Sequence, residues 1–414
     1  MSTVKLKRLK INQYRNVRPG TELHFDDGVN LVLGQNAAGK TTLLSLLSAV
    51  SRSVFEEHSH EEFNLEYELT CGSFSIVAQV SHRRQDDSEA GDPAGVARLW
   101  RGYYAVHIKD LSTSRGITIV SDSADEGQSR GRVPLVMDWS FIAAILSDRG
   151  ESYRSLRSDL FATASAFRFD ESLECFAAMT GRSSSLKSAA TPPPAHTSWH
   201  SSRGSSSTGG AYVPGDLSRA LLRSFQATDK DPTLEGAEQP LASQMATAMG
   251  ATSVSILPNH RARSRGLIES YFKVEGFTIE VTRGEGQTVH HDLLSYGQKR
   301  LVAFFYYLAM NPSIVIADEL VNGLHHRWIE ACMKAIGERQ AFLTSQNPLL
   351  FEHVEFDSIE QVQARFITCK SELVDGAEQL VWQNMPRDDA ERFYRGYEAD
   401  IEGIGDILIN RGLW

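Results

Sequence analysis

The residues best suited to chemistry begin at residues 34–41, Gly-Gln-Asn-Ala-Ala-Gly-Lys-Thr, which fit the P-loop pattern G-x-x-x-x-G-K-[ST]. Residues 29–33 are apolar and predict a buried strand before this segment, and residues 42–47 predict the start of a helix after it. Backbone N–H groups there would hold phosphates, Lys40 would neutralise them, and the Thr41 hydroxyl would coordinate Mg²⁺. The plainer alternative is a glycine turn between a strand and a helix. The predicted nucleotide contacts are Gly34, Gln35, Asn36, Ala37, Ala38, Gly39, Lys40, Thr41 and Thr42.

Two adjacent carboxylates follow another predicted strand. Residues 314–317 are apolar, and Asp318 and Glu319 follow them directly. A strand end is where an α/β sheet presents ligand-binding groups. Asp318 would hold Mg²⁺ through its water shell, and Glu319 would polarise an attacking water as general base. Because an apolar strand followed by acidic residues is common, the prediction depends on the order of motifs along the chain.

Composition describes an ordinary globular protein. With 414 residues the chain has room for two or three compact units, and it is 41% hydrophobic and 23% charged. The formal net charge of −10 argues against a generally basic nucleic-acid coat, although a local basic face could bind DNA. Four scattered cysteines suit a reducing compartment. No signal-like segment opens the chain and no long apolar run follows, so we expect a cytoplasmic protein without a membrane partner.

The pattern of apolar residues predicts alternating sheet-rich and helical segments. Strands are predicted at 4–14, 21–25, 30–33, 63–69, 74–80, 99–108 and 117–120, and helices at 134–147, 153–166, 217–227 and 241–249. Serine and proline runs predict a flexible surface loop at 182–210. Residues 271–274 and 277–281 predict a strand pair that turns at Glu275-Gly276. From residue 293 helices and strands alternate, and the chain ends in a strand pair (364–368 and 379–382) and a helical segment (388–413).

A further motif, residues 294–300, reads Leu-Ser-Tyr-Gly-Gln-Lys-Arg and precedes an apolar helical run. It resembles the signature motif of ABC-type ATPases, in the variant typical of RecF-like and SMC-like proteins. The resemblance implies that Ser295 and Gly297, with Gln298, contact the γ-phosphate held by a second copy, so one site needs two chains. Taken alone, the segment could equally be a helix whose N-cap is Ser295.

Three shorter segments extend the resemblance. Residues 322–325 occupy the place of the D-loop, with His325 where ABC transporters usually carry aspartate. Residues 342–348 resemble the switch loop, but Gln346 replaces the usual histidine, so it could bond the γ-phosphate without carrying a proton. Residues 11–16 resemble a segment of RecF-like and SMC-like heads in which an arginine approaches the phosphates of the nucleotide. Arg15 is therefore a candidate ligand, the alternative being a surface arginine at a strand end.

The resemblance, to the RecF/SMC/OLD superfamily, covers residues 1–50 and 290–350. It implies an α/β fold: an ABC-type P-loop ATPase head with a mixed or parallel sheet, flanking helices, an antiparallel β lobe and a helical insert. The insert, which is the stretch between Lys40 and Ser295, lacks the heptad repeats of a long coiled coil. Too few residues follow residue 348 for a Toprim nuclease domain. We expect four segments: an N-terminal ATPase lobe (1–181), a Ser/Pro-rich loop (182–214), the rest of the insert (215–290) and a C-terminal ATPase lobe (291–414).

The function that this resemblance implies is slow ATP hydrolysis with Mg²⁺ by a homodimer or higher oligomer whose heads sandwich the ATP. The catalytic candidates are Glu319, Gln346 and His325. The motifs look most like those of stand-alone ATPases of bacterial anti-phage defence, which implies control of a separately encoded effector. The alternatives are a RecF-like DNA-binding repair clamp and an ATP-binding scaffold with little hydrolysis.

Three other clusters of charged or histidine residues are considered as binding sites. Basic residues in 5–10 and 261–265 could form a phosphate-binding face or a solvated surface. The acidic and histidine residues of 56–62 could ligate a metal or coat a solvated helix. Neighbours in His290-His291 are expected to point to opposite sides, which argues against a zinc site.

Overall fold

A computed structural model describes residues 3–84, 100–122, 139–147, 153–164, 168–170, 172–181, 239–265, 270–399 and 404–410. The chain forms two compact units. The first unit comprises Met1–Ala166, Glu338–Thr344 and Val354–Trp414, and the second comprises Phe167–Gly337 and Ser345–His353. Each unit is thus assembled from segments distant in sequence, a partition different from the four predicted segments.

The elements alternate between the units in chain order. The first unit begins with β1 (Val4–Tyr14), β2 (Thr21–His24), β3 (Val29–Leu33), α1 (Lys40–Arg52), β4 (Phe63–Cys71), β5 (Phe74–Arg84), β6 (Trp100–Asp110), β7 (Gly116–Asp122), α2 (Trp139–Ser147) and α3 (Arg154–Ala164). The second unit contains β8 (Arg168–Phe169), α4 (Glu174–Met179), α5 (Pro240–Met249), β9 (Ser253–Arg265), β10 (Ser270–Thr282), β11 (Thr288–His290), α6 (Tyr296–Met310), β12 (Ile314–Ala317) and α7 (His326–Ile336). The first unit is completed by β13 (Gln340–Leu343), α8 (Ile359–Arg365), β14 (Phe366–Val374), β15 (Ala377–Asn384), α9 (Arg387–Glu398) and α10 (Ile404–Asn410).

The first unit contains two sheets. One is antiparallel throughout, in the order β2-β1-β4-β5-β6-β7, and confirms the predicted antiparallel lobe. In β1 the side chains of Val4, Leu6, Leu9 and Ile11 are buried. Alternate residues face the core on either side of an irregularity between Leu6 and Arg8, where the strand register shifts. The other sheet has the order β15-β14-β3-β13 in this unit; β3 pairs in parallel with β13 and β14, and β14 pairs antiparallel with β15. Strands β3 and β13 are buried almost throughout, as parallel strands covered on both faces are.

In the second unit β9, β10 and β11 form an antiparallel sheet, and β8 pairs in parallel with β12. The predicted turn at Glu275-Gly276 is wrong, since β10 runs through both residues. A Cβ on Gly276 would lie 2.4 Å from the backbone nitrogen of Gly181 and 2.6 Å from the carbonyl carbon of Thr180. This glycine therefore allows close packing and a shift of strand register, not a chain reversal.

Most of the other predicted elements that fall on described residues are confirmed within a few residues. Helix α2 begins at Trp139 in the structure, while residues 134–138 lie outside the described part. The predicted loop at 182–210 and helix at 217–227 also lie outside it. Over the described residues, no helix has both the length and the apolar composition needed to cross a membrane.

Gln340 ties the two sheets of the first unit together. Its fully buried side chain donates from Nε2 to the carbonyls of Leu6 (2.7 Å) and Asp26 (2.8 Å), and Oε1 accepts from the Leu6 N–H (2.7 Å). The Gln340→Leu substitution removes these bonds from the main chain of Leu6, while the Asp26 carbonyl keeps a bond from Asn30 Nδ2 (2.9 Å). We therefore expect it to destabilise the protein by about 2–4 kcal/mol in urea unfolding. Gln13→Leu is the control, because Gln13 is exposed and makes one long bond of 3.4 Å. Equal losses in both variants would contradict the prediction.

Candidate nucleotide site

The predicted P-loop connects β3 to α1 in the first unit and has an unusual backbone. Gly34, Ala37 and Gly39 have positive φ angles of 147°, 66° and 83°. A Cβ on Gly34 would lie 2.3 Å from the carbonyl oxygen of Cys369, and one on Gly39 would lie 2.8 Å from Leu380 Cδ1. Both glycines are therefore required by the close approach of β14 and β15. Left-handed residues of this kind turn successive N–H groups toward one concavity, which is suited to an anion.

Lys40 reaches back over this loop. Its Nζ donates to the carbonyl oxygens of Gly34 (2.8 Å) and Gln35 (3.1 Å), so the ammonium group lies beside the concavity. Helix α1 starts at Lys40 with Gly39 as an N-cap that offers no side-chain hydrogen bond, and Thr41 is exposed in its first turn. The start of α1, the lysine and the exposed hydroxyl together fit a phosphate group with a metal ion.

Arg15 is held by a carboxylate. Its Nε donates to Glu61 Oε2 (2.8 Å) and its Nη2 to Glu61 Oε1 (2.5 Å), which lowers the pKa of Glu61. The following residue, Asn16, accepts at its carbonyl from the N–H of Leu380, whose side chain packs against Gly39. The segment that carries Arg15 is thus linked to the P-loop. Its predicted contact with phosphate stays a prediction.

The two predicted carboxylates lie at the end of β12 in the second unit, and both are nearly buried. Asp318 Oδ2 is 3.7 Å from Nη1 of Arg168 in β8. Glu319 has a left-handed backbone with a φ of 51°, and its Oε2 accepts from the backbone N–H of Gln346 at 2.9 Å. The structure therefore brings Glu319 and Gln346 together, but the group of Gln346 that contacts Glu319 is its backbone N–H. Gln346 itself is exposed.

The predicted signature begins with a capping box. Ser295 Oγ accepts from the Gln298 N–H (3.3 Å) and Gln298 Oε1 accepts from the Ser295 N–H (3.0 Å), so Ser295 is the N-cap of α6. A Cβ on Gly297 would lie 2.5 Å from the carbonyl oxygen of Gly323, and one on Gly323 would lie 2.7 Å from the ring of Tyr296. The predicted signature and D-loop are thus in contact within one chain. Ser295 and Tyr296 themselves are exposed.

His325 is the N-cap of α7. Its side chain accepts from the Arg327 N–H at 3.4 Å, and the residue is exposed at the end of the predicted D-loop. Its position beside the contact between Gly297 and Gly323 keeps it among the candidates.

Sequence reasoning missed two arginines. Arg168 was given no role because β8 is only two residues long, and its partner strand β12 is distant in sequence. Arg300 was read only as part of the signature motif. The signal that could have singled it out is a charged residue among the apolar positions of α6.

The expectation for His290 and His291 was wrong, because their ring centroids lie 4.2 Å apart on one side of the chain. With Asp292 they form a possible metal-binding group among the described residues. However, Nδ1 of His291 accepts from the Ile279 N–H (3.1 Å), so the proton of the neutral ring is on Nε2. That nitrogen, the one nearest Asp292, then has no lone pair for a metal. We interpret the group as a hydrogen-bonded support for the residues before Ser295.

Two of the four basic residues of β1 are paired with neighbouring acidic residues. Lys7 is paired with Asp27, Arg8 is paired with Glu66, and Arg8 also lies 3.4 Å from Glu22. This arrangement weakens the case for a phosphate-binding face on this strand. The side chains of 261–265 lie outside the described part.

Two family models match the chain. One, described as "AAA domain, putative AbiEii toxin, Type IV TA system", matches residues 187–352, and one described as "AAA domain" matches residues 8–57. The first contains the predicted signature, the carboxylates and the switch loop, and the second contains the P-loop.

Similar proteins include the DNA replication and repair protein RecF of two strains of Lactobacillus delbrueckii subsp. bulgaricus. Each is 33% identical over 117 residues, which are 26% of this chain and 29% of RecF. The match therefore spans less than a third of the length of these relatives.

Similar solved structures include an SMC head bound to the C-terminal winged-helix domain of ScpA and the SMC head domain from Thermotoga maritima. Both are 12% identical to this chain, with TM-scores of 0.41 and 0.37. They cover 92% and 91% of this chain, and 98% of each matched chain is covered. The two family matches, the RecF match and the order of the motifs together support an ABC-type ATPase of the RecF/SMC superfamily.

Proposed function

We propose that this protein binds MgATP, hydrolyses it slowly and encloses it between two copies of the chain. The observation that carries the proposal is the P-loop, where Gly34 and Gly39 are forced by close packing into a phosphate-binding turn and Lys40 lies across it. Membership of an ATPase family supports ATP as the nucleotide.

Each candidate residue has a defined task in this proposal. When bound, MgATP supplies an electrophilic γ-phosphorus and a metal ion that offsets phosphate charge. Lys40 exchanges its two carbonyl acceptors for phosphate oxygens. The Thr41 hydroxyl is an oxygen ligand suited to Mg²⁺, and Asp318 would hold the ion through its water shell. The backbone of residues 34–42 holds the phosphates, and Arg15 adds a positive charge if it leaves Glu61.

Hydrolysis then requires a proton acceptor. As water oxygen bonds to the γ-phosphorus and the bond to the bridging oxygen breaks, Glu319 accepts the proton of the water. The N–H of Gln346 keeps the Glu319 carboxylate in place, and the Gln346 amide offers a hydrogen bond without a titrating proton. The proposal of slow turnover rests on this amide. His325 adds an exposed donor or acceptor from the adjacent loop.

The second copy completes the site in this proposal. Ser295 is exposed at the start of α6, Gln298 is half-buried there and Gly297 is buried against Gly323. The N-terminus of this helix carries partial positive charge suited to a γ-phosphate held by the other copy. Homodimers or higher oligomers are therefore expected in ATP.

We further propose that the ATP-bound dimer controls a separately encoded effector in anti-phage defence. The support is the resemblance of the motifs and the description of the matched family, which names a toxin of a toxin–antitoxin system. A DNA-binding clamp has the local RecF match in its favour, but two of the basic residues of β1, Lys7 and Arg8, are already paired with carboxylates.

The Lys40→Met substitution tests nucleotide binding. We expect MgATP affinity to fall by about 10–100-fold, because the ammonium contact with phosphate is lost, corresponding to about 1.4–2.7 kcal/mol. A fluorescent ATP analogue and the rise in Tm with MgATP measure this. Lys109→Met is the control, since Lys109 is exposed in β6. Equal affinity in wild type and both variants, or no binding by the wild type at millimolar MgATP, would refute the proposal.

A further inference from the structure

Arg300 is a fully buried arginine in helix α6, five residues after Ser295. Its Nη1 donates to the carbonyl oxygen of Asp170 at 3.1 Å. Its Nη2 donates to the carbonyl oxygens of Glu319 (2.9 Å) and Leu320 (3.2 Å). The guanidinium carbon lies 5.2 Å from the ring centroid of Phe169. One side chain thus joins the signature helix to the end of β8 and to the turn that carries Glu319.

A buried cation is costly unless it is well bonded, and an apolar side chain would fill the same volume without this cost. The acceptors here are main-chain carbonyl oxygens, and the planar fork of arginine reaches all three at once. Lysine carries its three donors on one nitrogen and lacks this planar fork, so it does not reproduce contacts that are divided between Nη1 and Nη2. We therefore attribute the presence of arginine to the geometry that it imposes on the turn.

The turn at Glu319 needs such support. Glu319 has a φ of 51°, which is unfavourable for a residue with a Cβ, and its carbonyl oxygen also accepts from the Asn322 N–H at 3.2 Å. This conformation directs the Glu319 carboxylate to the N–H of Gln346. A change at the carbonyl would rotate the peptide and move the carboxylate away from that donor.

A second contact fixes α6 to the strand itself. The hydroxyl of Tyr307, in the same helix, accepts from the Ile316 N–H (2.7 Å) and donates to the Ile316 carbonyl oxygen (3.0 Å). Arg300 and Tyr307 thus both connect α6 to β12 and to the turn that follows it, and a displacement at the N-terminus of the helix would act on these contacts. Ser295 is at that N-terminus.

We propose that Arg300 is a positioning residue that couples the signature turn of a chain to the Glu319 carboxylate of the same chain. Contact of Ser295 with the nucleotide of a second copy would then bear on Glu319 through α6 and Arg300. The effect of this coupling on ATP hydrolysis rests on the proposed function. The hydrogen bonds between Arg300 and the Glu319 turn exist without nucleotide.

The test compares the Arg300→Lys variant with the wild type by hydrogen exchange. We expect exchange in peptides covering 319–322 and 346 to be at least tenfold faster in the variant, and exchange in 31–43 to be unchanged. Val302→Ala is the matched control, because Val302 is also fully buried in α6 but is not among the residues that bond this turn. Should the lysine variant not fold, Arg300→Gln replaces it with the same expectation.

Turnover gives a second readout. We expect Arg300→Lys to lower kcat at least tenfold and to change KM less than threefold. When Arg300→Lys is combined with Glu319→Gln, we expect no further loss of kcat, because Arg300 acts through the Glu319 carboxylate. Unchanged exchange at 319–322 in a folded Arg300 variant, or a fully additive double variant, overturns the inference. If exchange behaves as expected but the wild type does not hydrolyse ATP, the proposed function fails while the positioning role stands.

Discussion

The Glu319→Gln substitution is expected to lower ATP turnover by about 10²–10³-fold and to leave MgATP binding within about threefold of the wild type. The amide has the size of the carboxylate, and its oxygen can still accept from the Gln346 N–H, so the strained turn is kept. What is lost is a group that can accept the proton of the attacking water, and general-base catalysis typically contributes a factor of this size.

Steady-state phosphate release checks this prediction, with nucleotide binding measured on the same samples. Glu330→Gln is the control, since Glu330 is exposed on α7 in the same unit. If wild type and Glu319→Gln release phosphate at the same low rate, the scaffold alternative holds and Glu319 is not the base. Gln346, in place of a histidine, makes this comparison necessary.

Motifs that are contiguous in sequence were readable without a structure. The P-loop is one, because a strand, a glycine turn and a helix start follow each other within residues 29–47 and their local preferences agree. The pair Asp318 and Glu319 is another, because a strand of four buried residues comes directly before it. The alternation of helices and strands after residue 293 indicated an α/β sheet, and the resemblance of the motifs implied the ABC-type head.

Contacts between distant segments were not readable. Gly276 looked like a turn residue, but it serves the close approach of Gly181, which is far from it in sequence. The partner of Arg15 is Glu61 on a neighbouring segment, and pairing of this kind depends on the order of strands in the sheet. Sequence spacing carries no information about such neighbours.

The roles of single charged residues were also hidden for a physical reason. Arg300 looked like the polar end of a motif, whereas it is buried and bonded to three carbonyls. Carbonyl acceptors belong to the main chain and leave no mark on residue type. The place of Arg300 among the apolar positions of α6 could have marked it as buried, but could not show which carbonyl oxygens accept from it.

The Ser295→Arg substitution is expected to abolish ATP-induced dimers and to leave MgATP binding by the single chain unchanged. Arginine places a long cation at the exposed start of α6, where the proposed dimer has no room between the helix and the other copy's nucleotide. Loss of the capping hydroxyl also destabilises the helix by about 1 kcal/mol, and that effect must be separated from the effect on assembly.

Ser358→Arg makes the separation possible. Ser358 is the N-cap of α8, and its hydroxyl accepts from the Gln361 N–H at 3.1 Å. Its replacement therefore removes a similar capping hydrogen bond, but in the first unit and far in sequence from the signature. In a Glu319→Gln background, which holds ATP, light scattering should show MgATP-dependent dimers for the parent and for Ser358→Arg, and single chains for Ser295→Arg. Dimers that persist in Ser295→Arg would mean that the start of α6 does not face the second copy. In that case a complete nucleotide site would have to be explained within one chain.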